Sequence, residues 1–327
     1  MKSLSNQQRL HQVNTAQLFE NYRVALSHAA SYTYGMRWKK VRNNEYLFKD
    51  HDRRGNGKSL GPRSEETEAL LASFSTGRTV AQERLKLIHE KVQEQARLNK
   101  ALRLNRVPRV VARVLRELDR AGLHDSFTVI GTQALYAYET AGGAHFLLEL
   151  LASGDVDLLY DTRKKMTVVS DKLDGNGLLG LLKNADKTFE CIRENGYRAA
   201  NAGQFMVDLV IAPRGMNAAG SITFSESDLV ATEVPGLQWL LHTPKLDAIA
   251  IDEDGWPVPM RVPDPRAFAL HKAWLSSLPS RETIKKPRDL DQARAVALLV
   301  REEMPQLSFE ETLTSLHGDV RKMLPVL

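Results

Sequence analysis

Apolar positions in this chain first recur with a helical spacing, from about Thr15 to Ser31, and then the period changes. In MRWKKVRNNEYLFKD the strand formers Trp38, Val41, Tyr46 and Phe48 flank Asn43-Asn44, and asparagine accepts positive φ, so two short strands around a turn are expected. HDRRGNGKSLGPRS breaks the pattern with glycines, a proline and the cations Arg53, Arg54, Lys58 and Arg63, and reads as a basic loop. SEETEALLASF restores the helical period, with Ser64 and Thr67 as candidate N-caps. From Thr79 to Arg120 the composition is helical and rich in Arg and Lys, with a break near Asn105 to Pro108.

Beyond Val107, short apolar runs alternate with helical stretches. FTVIG, DVDLLYD and QFMVDLVIAP read as buried strands, and TQALYAYETA and TFECIREN as helices, which predicts an α+β fold with an α/β-like core. After Gly236, LDAIAIDEDGWPVPMRVPD predicts a hairpin turning at Asp254-Gly255. PRAFALHKAWLSSL, RDLDQARAVALLVREEM and SFEETLTSLHGDVRKML have the spacing of amphipathic helices. These textures divide the chain into an N-terminal helical region with a basic hairpin and loop (1–105), a central domain (106–235) and a C-terminal hairpin and helical domain (236–327).

Composition narrows the class. With 327 residues, 43% hydrophobic and 26% charged, the chain reads as an ordinary soluble globular protein. MKSLSNQQRLHQ lacks the apolar stretch of a signal peptide, and no run approaches the roughly 18 apolar residues of a membrane span, so a cytoplasmic location is expected. Cys191 is the only cysteine, which excludes an intrachain disulfide, and it reads as a small buried apolar residue. The histidines show no zinc-like spacing. A net charge of +5 and a pI near 9.2 suit a polyanionic partner without proving one.

The chemistry concentrates in SGDVDLLYD. Side chains at i and i+2 of a strand share a face, so Asp155 and Asp157 emerge together while Val156 and Leu158 point the other way. Adjacent carboxylates repel unless a cation lies between them, and a hard divalent ion fits. An edge strand with one face in water explains the pattern as well. Two further features weigh against that plain reading. The strand FTVIG runs through Gly131-Thr132 straight into a helix, a turn where N–H groups and a hydroxyl can hold phosphate. Asp208 then sits in the middle of QFMVDLVIAP, where an unpaired carboxylate is costly to bury.

The stretches GTQALYAYE, DVDLLYDTR and GYRAANAGQFMVDLVIAP together resemble a bacterial family of the nucleotidyltransferase fold, in the superfamily typified by DNA polymerase β, which also contains toxin-associated members. WKKVRNNEYLFKD, GKSLGPRS, PDPRAFALHKAWLS and KKPRDLDQA are similar to accompanying segments of that family, so the resemblance covers about Gly35 to Leu299. It implies an enzyme that moves NMP from an NTP, such as ATP, to a hydroxyl of a protein or RNA acceptor and releases pyrophosphate. By position, Gly131 and Thr132 would hold the triphosphate, and Asp155, Asp157 and Asp208 would be catalytic and bind Mg²⁺ or Mn²⁺. Two departures stand out: Gly-Thr replaces the commoner Gly-Gly or Gly-Ser, and AGGAHFLLELLASG lengthens the path from the turn to the aspartates. A nucleotidyltransferase fold used only to bind nucleotide, RNA or a partner, as a regulatory or toxin-antitoxin component, is the rival reading.

Other segments are weaker. GNGKS is not a P-loop, because Asp52 stands where that motif needs glycine. The basic loop either touches nucleic acid or is plain solvated surface. Arg163 either meets a phosphate or neutralises Asp161. In PRAFALHKAWL, His271 reads as structural, while Lys272 has a family counterpart aimed at the triphosphate. Lys286, Arg288 and Asp289 match a charged family motif or form a solvated helix start. Arg103, Arg106, Arg109 and Arg113 lie on a helical face or line a polyanion groove.

Overall fold

The computed structural model describes residues 1–52, 54–173, 175–215, 220–309 and 318–327. Arg53 of the basic loop and residues 310–317 of the expected final helix lie outside the described residues. Tertiary contacts divide the chain into a smaller unit, Val13–Leu98, and a larger one, Met1–Gln12 with Asn99–Leu327.

After β1 (Lys2–Ser3), helix α1 (Asn6–Ala30) leads into the smaller unit, which continues with β2 (Met36–Val41), β3 (Asn44–Asp50), β4 (Gly57–Pro62) and α2 (Glu65–Ala101). Tyr32 packs on Phe74 with ring centroids 5.2 Å apart and Tyr22 on His89 at 6.0 Å, so the two helices run antiparallel. That packing explains a glycine in mid-helix: a Cβ on Gly77 would fall 2.5 Å from Tyr32 Oη. Ser64 and Thr67 both act at the start of α2, each side-chain oxygen accepting the other's backbone N–H.

The β2–β3 turn lies one residue earlier than the sequence predicts. Val41 pairs with Asn44, which leaves Arg42 and Asn43 as the turn, with Arg42 at φ 55°. Part of the expected basic loop is a third strand. Gly57–Pro62 pairs antiparallel with β3, and its glycines and proline hid an edge strand.

In the larger unit come α3 (Arg109–Arg120), β5 (Phe127–Ile130), α4 (Leu135–Gly142), β6 (Ala144–His145), α5 (Leu148–Leu151) and β7 (Asp155–Tyr160). They are followed by α6 (Met166–Lys172), α7 (Gly177–Ala185), β8 (Glu190–Cys191), β9 (Arg198–Ala200), β10 (Met206–Ile211) and β11 (Thr232–Glu233). The unit continues through α8 (Leu237–His242), the hairpin β12 (Lys245–Ile251) and β13 (Pro257–Pro263), then α9 (Pro265–Ser277) and α10 (Lys285–Glu303). Gly255 turns that hairpin at φ 86°, as its sequence predicts.

The central sheet has the order β5-β7-β10-β9-β8, with β11 also on β10. β7 and β10 are parallel, whereas β5–β7, β9–β10 and β8–β9 are antiparallel, so the sheet is mixed and the fold class is α+β. One core cluster extends from Val107 to Val320 and joins the central strands to α9, α10 and the β12–β13 hairpin. The N-terminus belongs to this unit as well, since β1 pairs with β6.

TFECIREN is not the expected helix. Glu190 and Cys191 form β8 opposite Ala200 and Ala199, and Asn195 takes φ 55° in the connection. Thr188, Phe189 and Ile192 favour extended backbone, and Asp186 accepts the Thr188 N–H, a local turn that competes with a helix start. Cys191 is half-buried against the core. No helix among the described residues is long and apolar enough to cross a membrane.

Candidate active site

Val156 and Leu158 are fully buried behind β7, which leaves Asp155 and Asp157 on its opposite face. β10 runs parallel to β7 with Asp208 directly beside Asp157, so the third carboxylate emerges on that same face. On the other flank, β5 sets Ile130 opposite Asp157 and delivers the Gly131-Thr132 turn to the same point. Gly131 has φ +67, and a Cβ there would fall 2.4 Å from Asp157 Oδ2. Only glycine lets the backbone lie against the carboxylate in this way. Across the sheet the order is therefore the Gly131 turn, Asp157, Asp208 and then Arg198 on β9, which is in register with Asp208.

The electrostatics follow from this crowding. Burial, with the nearby charges of Asp155 and Asp208, pushes the Asp157 carboxyl up to about 7. Asp208 is buried and held bidentately by Arg198, through two N–H···O bonds of 2.6 Å. Those bonds raise the Arg198 guanidinium above its ordinary value. Asp155 accepts a hydrogen bond from the Ser153 hydroxyl. As the side chains stand, no three His, Cys, Asp or Glu residues among those described are gathered as ligands of one ion. The chemistry of the set still fits a hard divalent cation, since all three donors are carboxylates on one face and their mutual repulsion is what a cation would relieve.

C-terminal residues close in on the same turn, and sequence reasoning missed most of them. Gln292 of α10 donates to Thr132 Oγ1 at 3.2 Å and to the Leu150 carbonyl at 2.7 Å. Gln133 donates to the Asp155 carbonyl at 3.0 Å. Gln133 and Gln292 each leave a buried side-chain oxygen without a partner. Arg288 donates to the Ala152 carbonyl, just before the aspartate strand. The available signal was KKPRDLDQA itself, in which Asp289 and Gln292 share a helix face.

Lys272 is buried, and its Nζ donates to Asp289 Oδ1 at 2.7 Å while Arg281 holds the other carboxylate oxygen at 2.7 Å. Burial lowers the Lys272 ammonium from its ordinary value, and the charges of Asp289 and Asp157 oppose that shift. Lys272 is thus electrostatically coupled to the aspartates. Arg163 is not brought to them. It follows the opposite end of β7, where it pairs bidentately with Asp161 at 2.7 and 2.8 Å and donates to the Leu241 carbonyl. Of the four arginines expected on one helical face, Arg103 and Arg106 instead lie in the connection between α2 and α3, with Arg103 at φ 57°; Arg106 pairs with Glu139, and Arg109, which opens α3, pairs with Asp254. A cavity of about 1000 Å³ bordered by Arg120, Lys172, Lys183 and Glu226 includes none of the aspartates.

A family model described as Nucleotidyltransferase matches residues 109–317, about two thirds of the chain. Neither curated proteins nor solved structures returned a match. The matched span contains the Gly131 turn, all three aspartates, Lys272 and Gln292. On the strength of that match, and of a mixed sheet that sets the Gly131 turn beside three carboxylates, the chain belongs to a nucleotidyltransferase family.

Proposed function

We propose that the protein transfers a nucleoside monophosphate from an NTP to a hydroxyl of an RNA or protein acceptor. The observation that carries this reading is the order across the sheet, with the Gly131 turn on one side of Asp157 and Asp208 on the other. Triphosphate held at the turn then lies over Asp157, and the acceptor hydroxyl approaches over Asp208. The backbone N–H groups of the turn and the Thr132 hydroxyl, oriented by Gln292, hold and orient the phosphates. Lys272 supplies positive potential from behind the site.

The hydroxyl oxygen bonds to the α-phosphorus, the bond to the β-phosphate bridging oxygen breaks, and pyrophosphate leaves. Asp208 takes the acceptor's proton once Arg198 has turned from it. Asp155, Asp157 and Asp208 would hold Mg²⁺ or Mn²⁺, which when bound neutralises phosphate charge and favours the ionised hydroxyl.

The closed Arg198–Asp208 pair favours a second reading, a member of the family that binds nucleotide without turning it over. One experiment separates the two. The protein is incubated with each α-labelled NTP and Mg²⁺ or Mn²⁺, with cellular RNA and with lysate, beside the Asp155→Ala/Asp157→Ala variant. Label entering RNA or protein with the wild type alone supports transfer. Bound NTP that is never consumed supports the second reading.

A further inference from the structure

The chain's positive excess is concentrated in one place. Between Met36 and Pro62 stand eight Arg or Lys residues against three Asp or Glu, an excess equal to the net +5 of all 327 residues. The smaller unit folds this stretch into the β2–β3–β4 sheet.

The register assigns its two faces. Trp38, Leu47 and Lys49 share the inner face, where Leu47 is fully buried and Lys49 Nζ lies 5.9 Å from the Phe74 ring of α2. Arg37, Phe48 and Ser59 share the outer face, as do Lys39 and Tyr46. Two aromatic rings therefore stand side by side, two residues apart, on the outer face of the sheet. Both are half-buried, and Lys39 Nζ lies over the Phe48 ring at 5.3 Å. Lys39, Lys40, Arg42 and Lys58 are exposed, and among the described residues none of them is in an ion pair. The acidic side chains are already engaged: Glu45 by Arg63, Asp50 by Arg37, and Asp52 by the N–H groups of Arg54 and Asn56.

We infer that this outer face binds single-stranded RNA, with bases stacked on Tyr46 and Phe48 and phosphates met by Lys39 on that face, by Arg42 at the β2–β3 turn, and at the rim by Lys40 and Lys58, which leave the two edge strands on the inner side. Unpaired cations answer the polyanion, and paired rings on an open sheet answer unstacked bases, which a duplex does not offer. The exposed Ser59 hydroxyl opposite Phe48 is a partner for a ribose 2′-OH. The inference rests on the transferase reading only in making the bound strand the acceptor.

The test is fluorescence anisotropy with a labelled single-stranded RNA of about 15 nucleotides, matched to single-strand site sizes, beside the same sequence as DNA and as an RNA duplex. Tyr46→Leu/Phe48→Leu is expected to weaken binding by at least about tenfold while keeping the salt dependence of the wild type. Lys39→Gln/Lys40→Gln/Arg42→Gln is expected to reduce the slope of log K against log salt by about 0.7 per charge removed. Unfolding curves of both variants report whether the sheet is intact, and Lys58→Gln, on an edge strand, gives a milder check. Unchanged affinity in both multiple variants, or equal binding of duplex or DNA, overturns the inference. RNA affinity is also read in Asp155→Ala/Asp157→Ala. Retained, ring-dependent binding with no transfer by the wild type defeats the transferase reading alone; transfer to RNA that ignores Tyr46 and Phe48 defeats this one alone.

Discussion

Arg198 and Asp208 face each other in register across β9 and β10 and close two hydrogen bonds of 2.6 Å, so the guanidinium occupies both oxygens that a cation would need. Arg198→Gln removes the competitor and leaves a buried carboxylate uncompensated. In EDTA the variant is expected to lose about 1–3 kcal/mol, below the value for a fully buried pair because Arg198 is one third exposed. Mn²⁺ should restore that stability and bind at least about tenfold tighter than to the wild type, since each 1.4 kcal/mol is tenfold. Thermal melts with and without Mn²⁺, together with calorimetric titration, read both effects. Equal Mn²⁺ affinity in the two proteins would show that Arg198 does not compete for the site.

Gly131→Ala tests the turn. The substitution meets a φ of +67 and a Cβ position 2.4 Å from Asp157 Oδ2, so the backbone or the carboxylate must move. Strain of this kind costs about 1–3 kcal/mol, and a shift of about 1 Å in a reacting group lowers turnover on the order of 100-fold. The expected result is a folded protein with a reduced melting temperature and weaker NTP binding. An alanine variant with wild-type NTP affinity would dissociate the turn from phosphate binding.

Asp157 should be a destabilising residue in the metal-free protein. Its carboxyl is raised from 3.8 to about 7 by burial and by Asp155 and Asp208, so the folded state binds the proton more tightly than the unfolded chain. Between those values the folded state therefore loses stability as pH rises, and the loss is complete above about 7. Asp157→Asn escapes it. In EDTA the variant is expected to be about 1–3 kcal/mol more stable than the wild type at pH 8, with the difference vanishing near pH 4. Denaturant unfolding across that range measures it, and a variant less stable at pH 8 would contradict the crowding of the three carboxylates. Transfer by the variant should be abolished.

Most of the site was legible because strands impose it. Period-two alternation placed Asp155 and Asp157 on one face, and an acidic residue inside an apolar run marked Asp208. Local sequence does not encode register between distant segments, so it did not show that Arg198 pairs with Asp208 or that Gln292 reaches Thr132. Arg163 follows the aspartates closely in sequence yet ends up at the other end of the strand, because extended backbone carries neighbours apart. The β8 segment misled through an ambiguity between strand and helix in a short mixed run, which pairing with β9 resolves.

His271 provides a test of structure against chemistry. It is buried between Trp239 and Trp274, at ring-centroid distances of 6.2 and 5.7 Å, and its Nε2 has no partner among the described residues. Gly236 backs the cluster so closely that a Cβ would fall 2.7 Å from Trp274 and 3.2 Å from Nε2. Burial, followed by the charge of adjacent Lys272, lowers the imidazole to about 3, with Asp289 opposing and Arg281 reinforcing the shift. The unfolded chain thus binds the proton more tightly than the folded one, and the wild type loses stability as pH falls below about 6.5 toward 3. His271→Phe keeps an aromatic ring and removes the titration. It is expected to lie within about 1 kcal/mol of the wild type at pH 8 and to gain about 2 kcal/mol relative to it at pH 5. NTP affinity should be unchanged at pH 8, because the neutral imidazole carries no charge toward the phosphates. A variant that folds with wild-type stability at pH 8 but fails to bind NTP would move His271 from the core into the binding site.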